Sequence, residues 1–284
     1  MRFASFQQDG EPRLGVAGGD PLHPLPPGVT PLVGRTALVT GAGNGLGRAI
    51  ALALAGAGAR VVLVGRVRGK LDETVTLLPA GAAGSRVATA DVTDPGAVTA
   101  LAAELTGESV SILVNNAGVG GPVAALVDVA PDEWDAVFAA NVRSIYLMCR
   151  AFLPPMIERG AGDVINLASV TGKRPLVRRT PYAASKMAVL GLTRTLAFEV
   201  GPLGVNVNAL SPGPVRGPRM ERNFRLEAQA SGGTVAEAER AFVSRAAQGR
   251  LVEEHEVGAA VVAMLGMPGL CGADIDLSAG MVAP

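Results

Sequence analysis

Tyr182 and Lys186 stand four residues apart at the start of a helix-like stretch that extends to Val200. Side chains at this spacing project from the same face of a helix, so the phenol and the ammonium are expected to be neighbours. A phenol has an ordinary pKa of about 10, and a neighbouring cation stabilises the phenolate and lowers that pKa. The pair can therefore supply a group that exchanges protons near neutral pH. The alternative is a pair of side chains on a solvent-facing helix.

A glycine-rich turn is the second feature that could do chemistry. Glycines occupy positions 41, 45 and 47, between a strand-like run that ends at Thr40 and a helix-like run over 48–54. Because glycine lacks a side chain, the backbone can turn sharply, approach a diphosphate and seat the helix against the strand. The first free N–H groups of that helix then point toward the diphosphate. In a chain with 37 glycines, an ordinary loop is the alternative.

The elements that must position these residues alternate from position 36 onward. The strand-like stretches are rich in β-branched residues and lack polar alternation, as is typical of a parallel sheet covered on both faces. The chain is therefore predicted to be an α/β protein with a Rossmann-type doubly wound parallel sheet. Strands are predicted at 36–40, 60–64, 86–90, 111–114, 163–168, 205–210 and 274–277. Helices are predicted at 48–54, 71–78, 95–105, 131–156, 182–200 and 253–265.

Two segments depart from this alternation. A polar, helix-prone insertion over 219–248 lies beside the carboxyl ends of the strands, so a short helical substrate lid is expected at about 216–250. Residues 1–33 contain several prolines and no helical period, and we expect an arm appended to a single catalytic domain at 34–284. Within the arm, 2–6 and 13–16 are predicted to pair as a hairpin around an Asp-Gly turn. A poorly ordered terminus is the alternative.

Composition favours one domain with an extensive core. Of 284 residues, 49% are hydrophobic and 18% are charged. Lys plus Arg and Asp plus Glu balance at 25 each, so nothing global indicates a nucleic acid or an anionic membrane as partner. No uncharged apolar run approaches the roughly 18 residues of a membrane helix, and the amino terminus lacks the apolar region of a secretory signal. We therefore expect a cytoplasmic protein.

Cysteine and histidine are too few for the chemistry they usually support. Cys149 and Cys271 lie far apart, and neither belongs to a Cys-x-x-Cys pair. His23 and His255 are the two histidines of the chain, so a histidine-based triad or a zinc site is not expected. The sequence predicts a site without a metal.

Four further stretches follow predicted strands, so they are expected to meet at one edge of the sheet. They are Asp91-Val92, Asn115-Asn116-Ala117-Gly118, Ser169, and Pro212-Gly213-Pro214-Val215. Together with the glycine-rich turn, Asn141 and Tyr182-x-x-x-Lys186, they resemble the classical short-chain dehydrogenase/reductase family from Val33 to the end. Each motif is weak alone, whereas their order and spacing are specific. Residues 1–27 also resemble the opening of fumarylacetoacetate hydrolase-like proteins.

The resemblance implies an oxidoreductase that interconverts a carbonyl and a secondary alcohol of a small molecule with a nicotinamide cofactor. It assigns proton exchange with the substrate oxygen to Tyr182, and a contact with the nicotinamide ribose to Lys186. It assigns a hydrogen bond to the substrate oxygen to Ser169, and a water that links Lys186 to solvent to Asn141. A strand-end cap for Ser169 and a helical hydrogen bond for Asn141 are the alternatives. A homotetramer is also implied.

The cofactor site implied by the resemblance lines the same sheet edge. Asp91 and Val92 should bracket the adenine, and Asn115 should contact the adenosine side. The family usually has threonine at the position of Gly217, so the contact that its hydroxyl makes is in doubt here. The full predicted set is Gly41, Asn44, Gly45, Leu46, Gly47, Arg66, Asp91, Val92, Asn115, Ala117, Gly118, Tyr182, Lys186, Pro212, Gly213 and Val215.

The end of the second strand predicts which dinucleotide binds. An NAD site places an acid there to accept the ribose hydroxyls, whereas an arginine suits a 2′-phosphate. This chain has Gly65 followed by Arg66 and Arg68, so the repelling acid is absent and a bidentate phosphate partner is present. We therefore expect NADP(H). NAD remains possible, because Asn44 occupies a position that is often basic in NADP-dependent relatives.

Cations are concentrated in the two segments that should border the substrate. They are Lys173, Arg174, Arg178 and Arg179, followed by Arg216, Arg219, Arg222 and Arg225. An electropositive mouth would draw an anion such as a hydroxy or keto acid, a sugar acid or an acyl thioester. Solvated loops or salt bridges across a subunit interface are the alternative.

Two other functions compete with this interpretation. A sugar-nucleotide epimerase or dehydratase on the related extended fold would need a larger carboxyl-terminal substrate domain than this chain has. A catalytically inactive, dinucleotide-sensing binding protein would keep the fold without the chemistry. Intact Ser169, Tyr182 and Lys186 argue against the second possibility.

Overall fold

The computed structural model describes residues 2–8, 11–18, 20–24, 32–79, 82 and 84–282. Its strands are β1 (Arg2–Gln8), β2 (Glu11–Gly18), β3 (Asp20–Pro24), β4 (Thr36–Thr40), β5 (Arg60–Gly65), β6 (Arg86–Thr89), β7 (Val110–Asn115), β8 (Gly162–Leu167), β9 (Val205–Pro212) and β10 (Asp274–Leu277). Its helices are α1 (Gly45–Gly56), α2 (Arg68–Thr76), α3 (Pro95–Glu104), α4 (Pro131–Phe138), α5 (Ser144–Glu158), α6 (Thr180–Val200), α7 (Pro218–Ser231), α8 (Val235–Val243) and α9 (Glu254–Leu265).

The main sheet contains seven parallel strands in the order β6-β5-β4-β7-β8-β9-β10. The order reverses between β4 and β7, because the chain winds outward on one side of β4 and then on the other. A crevice opens at such a reversal, outside the carboxyl ends of the strands. The predicted doubly wound α/β fold is confirmed.

Helices cover both faces of this sheet, as the unbroken apolar strands predict. Along β4, Leu38 packs into the core beneath α3, α5 and α6, whereas Ala37 and Val39 pack into the core beneath α1, α2 and α9. The two faces alternate because successive strand side chains point in opposite directions. On the second face α1 and α9 lie close together, and a Cβ at Gly258 would come within 2.7 Å of the Ala49 carbonyl oxygen.

The predicted helix over 131–156 is interrupted by a π-helical turn at Ala139–Arg143. This turn separates α4 from α5 without ending the helical path, and the apolar pattern of the sequence does not predict it. The predicted helix at 95–105 is confirmed as α3, and its start is capped by the Asp94 carboxylate, which accepts from the N–H groups of Gly96 and Ala97. The predicted insertion forms the helices α7 and α8, whose apolar residues include Phe224 and Phe242 with ring centroids 5.6 Å apart.

The helical path Pro131–Glu158 has 28 residues, and the mean hydropathy of its most apolar 18-residue window is 1.3, so by length and composition it could span a membrane. Half of its most apolar window is buried in this fold. Met148, Phe152 and Met156 of α5 are core residues packed against the main sheet. The apolar side chains of this helix are therefore explained by their packing in the protein core.

In the arm, β1 pairs with β2 in antiparallel fashion, and Ser5 lies opposite Leu14. The predicted hairpin is confirmed, and β3 extends it to three strands. Residues 9–10 of the predicted turn and 25–31 of the proline-rich stretch lie outside the described residues. The boundary at 33 between arm and catalytic domain stays a prediction.

One cap in this fold should make stability depend on pH. The Glu256 carboxylate accepts two hydrogen bonds from the Arg250 guanidinium, at 2.7 and 2.8 Å, and one from the backbone N–H of Glu253 at 2.8 Å. Chiefly because of Arg250, the pKa of Glu256 falls from 4.5 to about 2. A lowered folded-state pKa adds stability that is fully present above the unfolded value and is lost as pH falls through the folded value.

We therefore expect Glu256→Gln to lower the free energy of unfolding by about 1 kcal/mol at neutral pH, the scale of a lost helix cap. The loss should shrink between about pH 4.5 and pH 2. Denaturant unfolding of the parent and the variant across this pH range measures the difference in their free energy of unfolding. The control is Glu227→Gln, since the exposed Glu227 forms no ion pair with another described residue. A loss that does not change with pH would contradict the assignment.

Candidate active site

Tyr182 and Lys186 lie in the first two turns of α6, on one face, as their spacing predicts. The Lys186 ammonium is 5.8 Å from the centroid of the Tyr182 ring. It is buried, and it donates a hydrogen bond of 2.6 Å to the backbone carbonyl of Leu167, the last residue of β8. This bond attaches the start of α6 to the carboxyl end of the sheet. The solvent-facing alternative for this pair is therefore wrong.

The charges around Tyr182 favour its phenolate. Burial by itself raises the pKa of Tyr182, but Lys186, Arg219, the Ser169 hydroxyl and Arg179 together outweigh burial and lower it. Burial also lowers the pKa of Lys186, while the Tyr182 phenol opposes that shift. The two pKa values thus move toward neutral pH, which suits a pair that exchanges protons.

Ser169 follows β8 and begins a short helical turn at Val170–Gly172. Its hydroxyl accepts a 3.2 Å hydrogen bond from the N–H of Thr171, so the capping alternative is present in the structure. The same hydroxyl lies close enough to Tyr182 to contribute to the lowering of its pKa. The Ser169 side chain therefore both caps this turn and lies beside the Tyr182 phenol.

Asn141 lies inside the π-helical turn and is fully buried. Its Oδ1 accepts from the N–H of Val119 at 2.8 Å, and its Nδ2 donates to the Val119 carbonyl and to the Ser185 hydroxyl, each at 3.0 Å. A Cβ at Gly118 would come within 2.7 Å of Oδ1, so a glycine is needed beside this amide. Asn141 therefore joins the loop after β7 to α6, and the predicted water contact stays a prediction.

Two partners of this network were not identified from the sequence. Ser185 accepts from Asn141 and donates to the Tyr182 carbonyl at 2.8 Å. Thr40, the last residue of β4, accepts at its hydroxyl from the N–H groups of Asn116 and Ala117, at 2.9 and 3.0 Å. The position of Thr40 at a strand end was visible in the sequence, whereas a π turn leaves no clear mark on helical periodicity.

The glycine-rich turn has the shape that a diphosphate requires. Gly41 and Gly45 have φ angles of +69° and +51°, which disfavour other residues. A Cβ at Gly47 would lie 2.2 Å from the Gly41 carbonyl oxygen, so only glycine fits there. Asn44, the N-cap of α1, makes no side-chain capping bond, so the first N–H groups of α1 remain free of a side-chain acceptor. The residues present therefore fit a dinucleotide, with Leu46 packed on the core behind them.

The other predicted cofactor residues lie along the same edge. Val92 is buried, and the Asp91 carboxylate accepts two hydrogen bonds from Thr93, which lower its pKa; nearby Arg66 lowers it further. Asp91 thus also stabilises the turn that connects β6 to α3. The Asn115 side chain is buried and donates to Asn166 at 2.9 Å, so only its backbone is left for the predicted adenosine contact.

The segment after β9 explains the departure from the family at position 217. The Gly213 N–H donates to the Leu277 carbonyl at 2.8 Å, and Val215 forms a parallel bridge with Val252. Gly217 then begins α7 with a φ of +149°, a conformation that threonine avoids. A Cβ there would also lie 2.9 Å from a Glu254 carboxylate oxygen. Threonine is therefore excluded by the backbone at this position.

The predicted cations fall into different environments. Lys173 forms ion pairs with Asp274 and Asp276, and Arg216 forms ion pairs with Glu239 and Glu253. Of the others, Arg179 and Arg219 lie near Tyr182, and Arg222 lies near Arg179. The run of cations is thus a mixture of structural ion pairs and a small cluster at the site.

Comparison with known proteins agrees with this geometry. A family model described as short chain dehydrogenase matches residues 35–229. The chain belongs to this family. A similar curated protein is the D-beta-hydroxybutyrate dehydrogenase of Rhizobium meliloti (strain 1021), which is 39% identical over 205 residues, 70% of this chain and 78% of that enzyme.

Two solved structures resemble this short chain dehydrogenase closely. One is a variant of the actinorhodin polyketide ketoreductase with NADPH, at 32% identity and a TM-score of 0.81, covering 87% of this chain and 97% of that one. The other is an NAD⁺-bound xylitol dehydrogenase, at 28% identity and a TM-score of 0.82, covering 87% and 98%. The protein is therefore an NAD(P)-dependent oxidoreductase of carbonyls and alcohols.

The pKa of Tyr182 in this dehydrogenase can be measured directly. The chain has two tyrosines, so Tyr146→Phe leaves Tyr182 as the single source of tyrosinate absorbance. We expect it to titrate below the ordinary value of a phenol, and Lys186→Met to raise its pKa, because the ammonium that stabilises the phenolate is removed. Lys70→Met, on the exposed surface, is the matched control and should cause no change. An unchanged titration in the Lys186 variant would refute this coupling.

Proposed function

We propose that this dehydrogenase uses NADP(H) to interconvert the carbonyl and the secondary alcohol of an anionic small molecule. The observation that carries the proposal is the Tyr182 phenol beside the buried Lys186 ammonium, at the sheet edge that also holds the glycine-rich turn. The homotetramer implied by the resemblance and the cytoplasmic location expected from the sequence stay predictions.

In the proposed mechanism, Tyr182 gives its proton to the substrate oxygen during reduction and takes it back during oxidation. Lys186 stabilises the phenolate that remains, and Ser169 donates a hydrogen bond to the same substrate oxygen and fixes its position. The bound nicotinamide supplies or accepts the hydride. Asn141 is proposed to hold the water that returns protons from solvent.

The proposed dinucleotide contacts follow the edge of the sheet. Free N–H groups at the start of α1 face the diphosphate, and the glycines at 41, 45 and 47 allow its approach. Asp91 and Val92 border the adenine, and Lys186 contacts the nicotinamide ribose. Pro212, Gly213 and Val215 line the far side of the crevice, after β9.

The choice of NADP(H) depends on one guanidinium. Arg66 is exposed directly after β5 and forms no ion pair with another described residue. Arg68 by contrast is paired with Asp72 at 2.9 Å, one helical turn away. Gly65 supplies no carboxylate to repel a phosphate. Arg66 is thus the group proposed to bind the 2′-phosphate.

Tyr182→Phe tests the reaction. We expect turnover to fall by about 100-fold or more, because proton transfer is lost. The dissociation constant for NADPH, measured by fluorescence, should change little, since the ring and Lys186 remain. Tyr146→Phe is the control and should keep full activity. Near-normal kcat in Tyr182→Phe would contradict the mechanism, whereas NADPH binding without turnover in the parent protein would favour a dinucleotide-sensing role for this chain.

Arg66→Ala tests the cofactor. Loss of a charged hydrogen-bonding partner should lower kcat/KM for NADPH by roughly 10- to 100-fold and leave that for NADH nearly unchanged. Arg68→Ala, which removes a guanidinium already paired with Asp72, should have a small effect on both. Equal kcat/KM for the two cofactors in the parent enzyme, with no loss in Arg66→Ala, would contradict the choice of NADP(H).

A further inference from the structure

Arg179 is a buried cation without a counterion. It stands at the N-cap of α6, three residues before Tyr182, and is 9% exposed. Among the described residues it forms no ion pair, and its buried Nε has no hydrogen-bond acceptor. Burial lowers the pKa of Arg179, the phenolate form of Tyr182 opposes that shift, and the nearby cations Arg219 and Arg222 lower the pKa further. A charge buried in this way is costly unless something pairs with it.

The groups described around this guanidinium enclose it, but none of them is a carboxylate. A Cβ at Gly120 would lie 2.9 Å from an Arg179 Nη atom, so the loop after β7 passes directly against the guanidinium. The Tyr182 ring centroid is 5.6 Å from Cζ on another side. On a third side is α7, whose Arg219 donates to the Gly118 carbonyl at 3.3 Å.

Two partly buried cations elsewhere in the described chain have acidic partners. Arg35 forms an ion pair with Asp163, and Lys173 forms ion pairs with Asp274 and Asp276. In these two cases carboxylates of the fold itself neutralise the partly buried charge. Arg179 differs from them in lying beside Tyr182, at the crevice, where a substrate can supply the missing anion.

We propose that Arg179 binds the carboxylate of the substrate and thereby selects short hydroxy or keto acids. A guanidinium forms two parallel hydrogen bonds with a carboxylate, a fit that an ammonium cannot reproduce. Because Arg179 and Tyr182 are one helical turn apart, the carboxylate lies only a few bonds from the reacting carbon. The cations Arg219 and Arg222 on α7 add attraction at the entrance. This assignment rests on the function proposed above and names its substrate class.

Binding without turnover provides the test. Pyruvate, acetoacetate and levulinate place the ketone at increasing distance from the carboxylate, and with NADP⁺ they cannot be reduced. Calorimetry should show at least one acid binding more tightly than its methyl ester to the NADP⁺ complex. Arg179→Met should weaken the binding of that acid by roughly 10-fold or more and leave the binding of the ester unchanged. Arg194→Met, an exposed arginine of the same helix, is the matched control and should bind like the parent enzyme.

Stability separates substrate binding from a structural role. Replacing an unpaired buried charge by an apolar side chain of similar length should leave Tm unchanged or raise it. A lower Tm with equal loss of acid and ester binding would overturn the proposal, as would an Arg179→Met variant that binds the acid normally. A parent enzyme that does not prefer acid over ester would also overturn it. Because hydride transfer is absent from this assay, a failure of the oxidoreductase reaction would appear separately, in turnover.

Discussion

The arrangement of this site depends on one buried cation, the ammonium of Lys186. Its hydrogen bond to the Leu167 carbonyl joins the start of α6 to the end of β8. Without that acceptor and the adjacent phenol, the ammonium would be an uncompensated charge in the interior, so the contact is strongly favoured. Because Tyr182 lies on the same helical face, the bond that positions Lys186 also positions the phenol. The charge that orders the site therefore also lowers the pKa of Tyr182.

The second constraint on the site is that glycine backbone must lie very close to neighbouring polar atoms. Asn141 can reach Val119 and Ser185 only because the π-helical turn directs it inward and Gly118 has no side chain. In the same way Gly47 allows α1 to begin against the carbonyl of Gly41. At both places a methyl group would collide with polar atoms that the site needs. The glycines and the buried polar bonds are thus parts of one arrangement around the crevice.

The chain has no net charge, yet its cations differ in what they can do. Lys173 and Arg216 are neutralised by carboxylates within the fold, whereas Arg179 is buried without one. The two similar structures bind different dinucleotides, NADPH and NAD⁺, so the shared fold does not choose the cofactor. Side chains outside the shared motifs are therefore expected to select cofactor and substrate, and Arg66 and Arg179 are the two that we propose for these roles.

Local sequence determined the strands, most helices, the glycine-rich turn and the pairing of Tyr182 with Lys186, because these depend on periodicity and on spacing along one helix. Tertiary structure decided the π turn at Asn141, the inward side chain of Asn115 and the backbone that excludes threonine at Gly217. It also decided that Lys173 and Arg216 are paired, because their acidic partners are distant in sequence. Burial is a property of the packed chain, and it distinguishes Arg179 from the exposed arginine beside it.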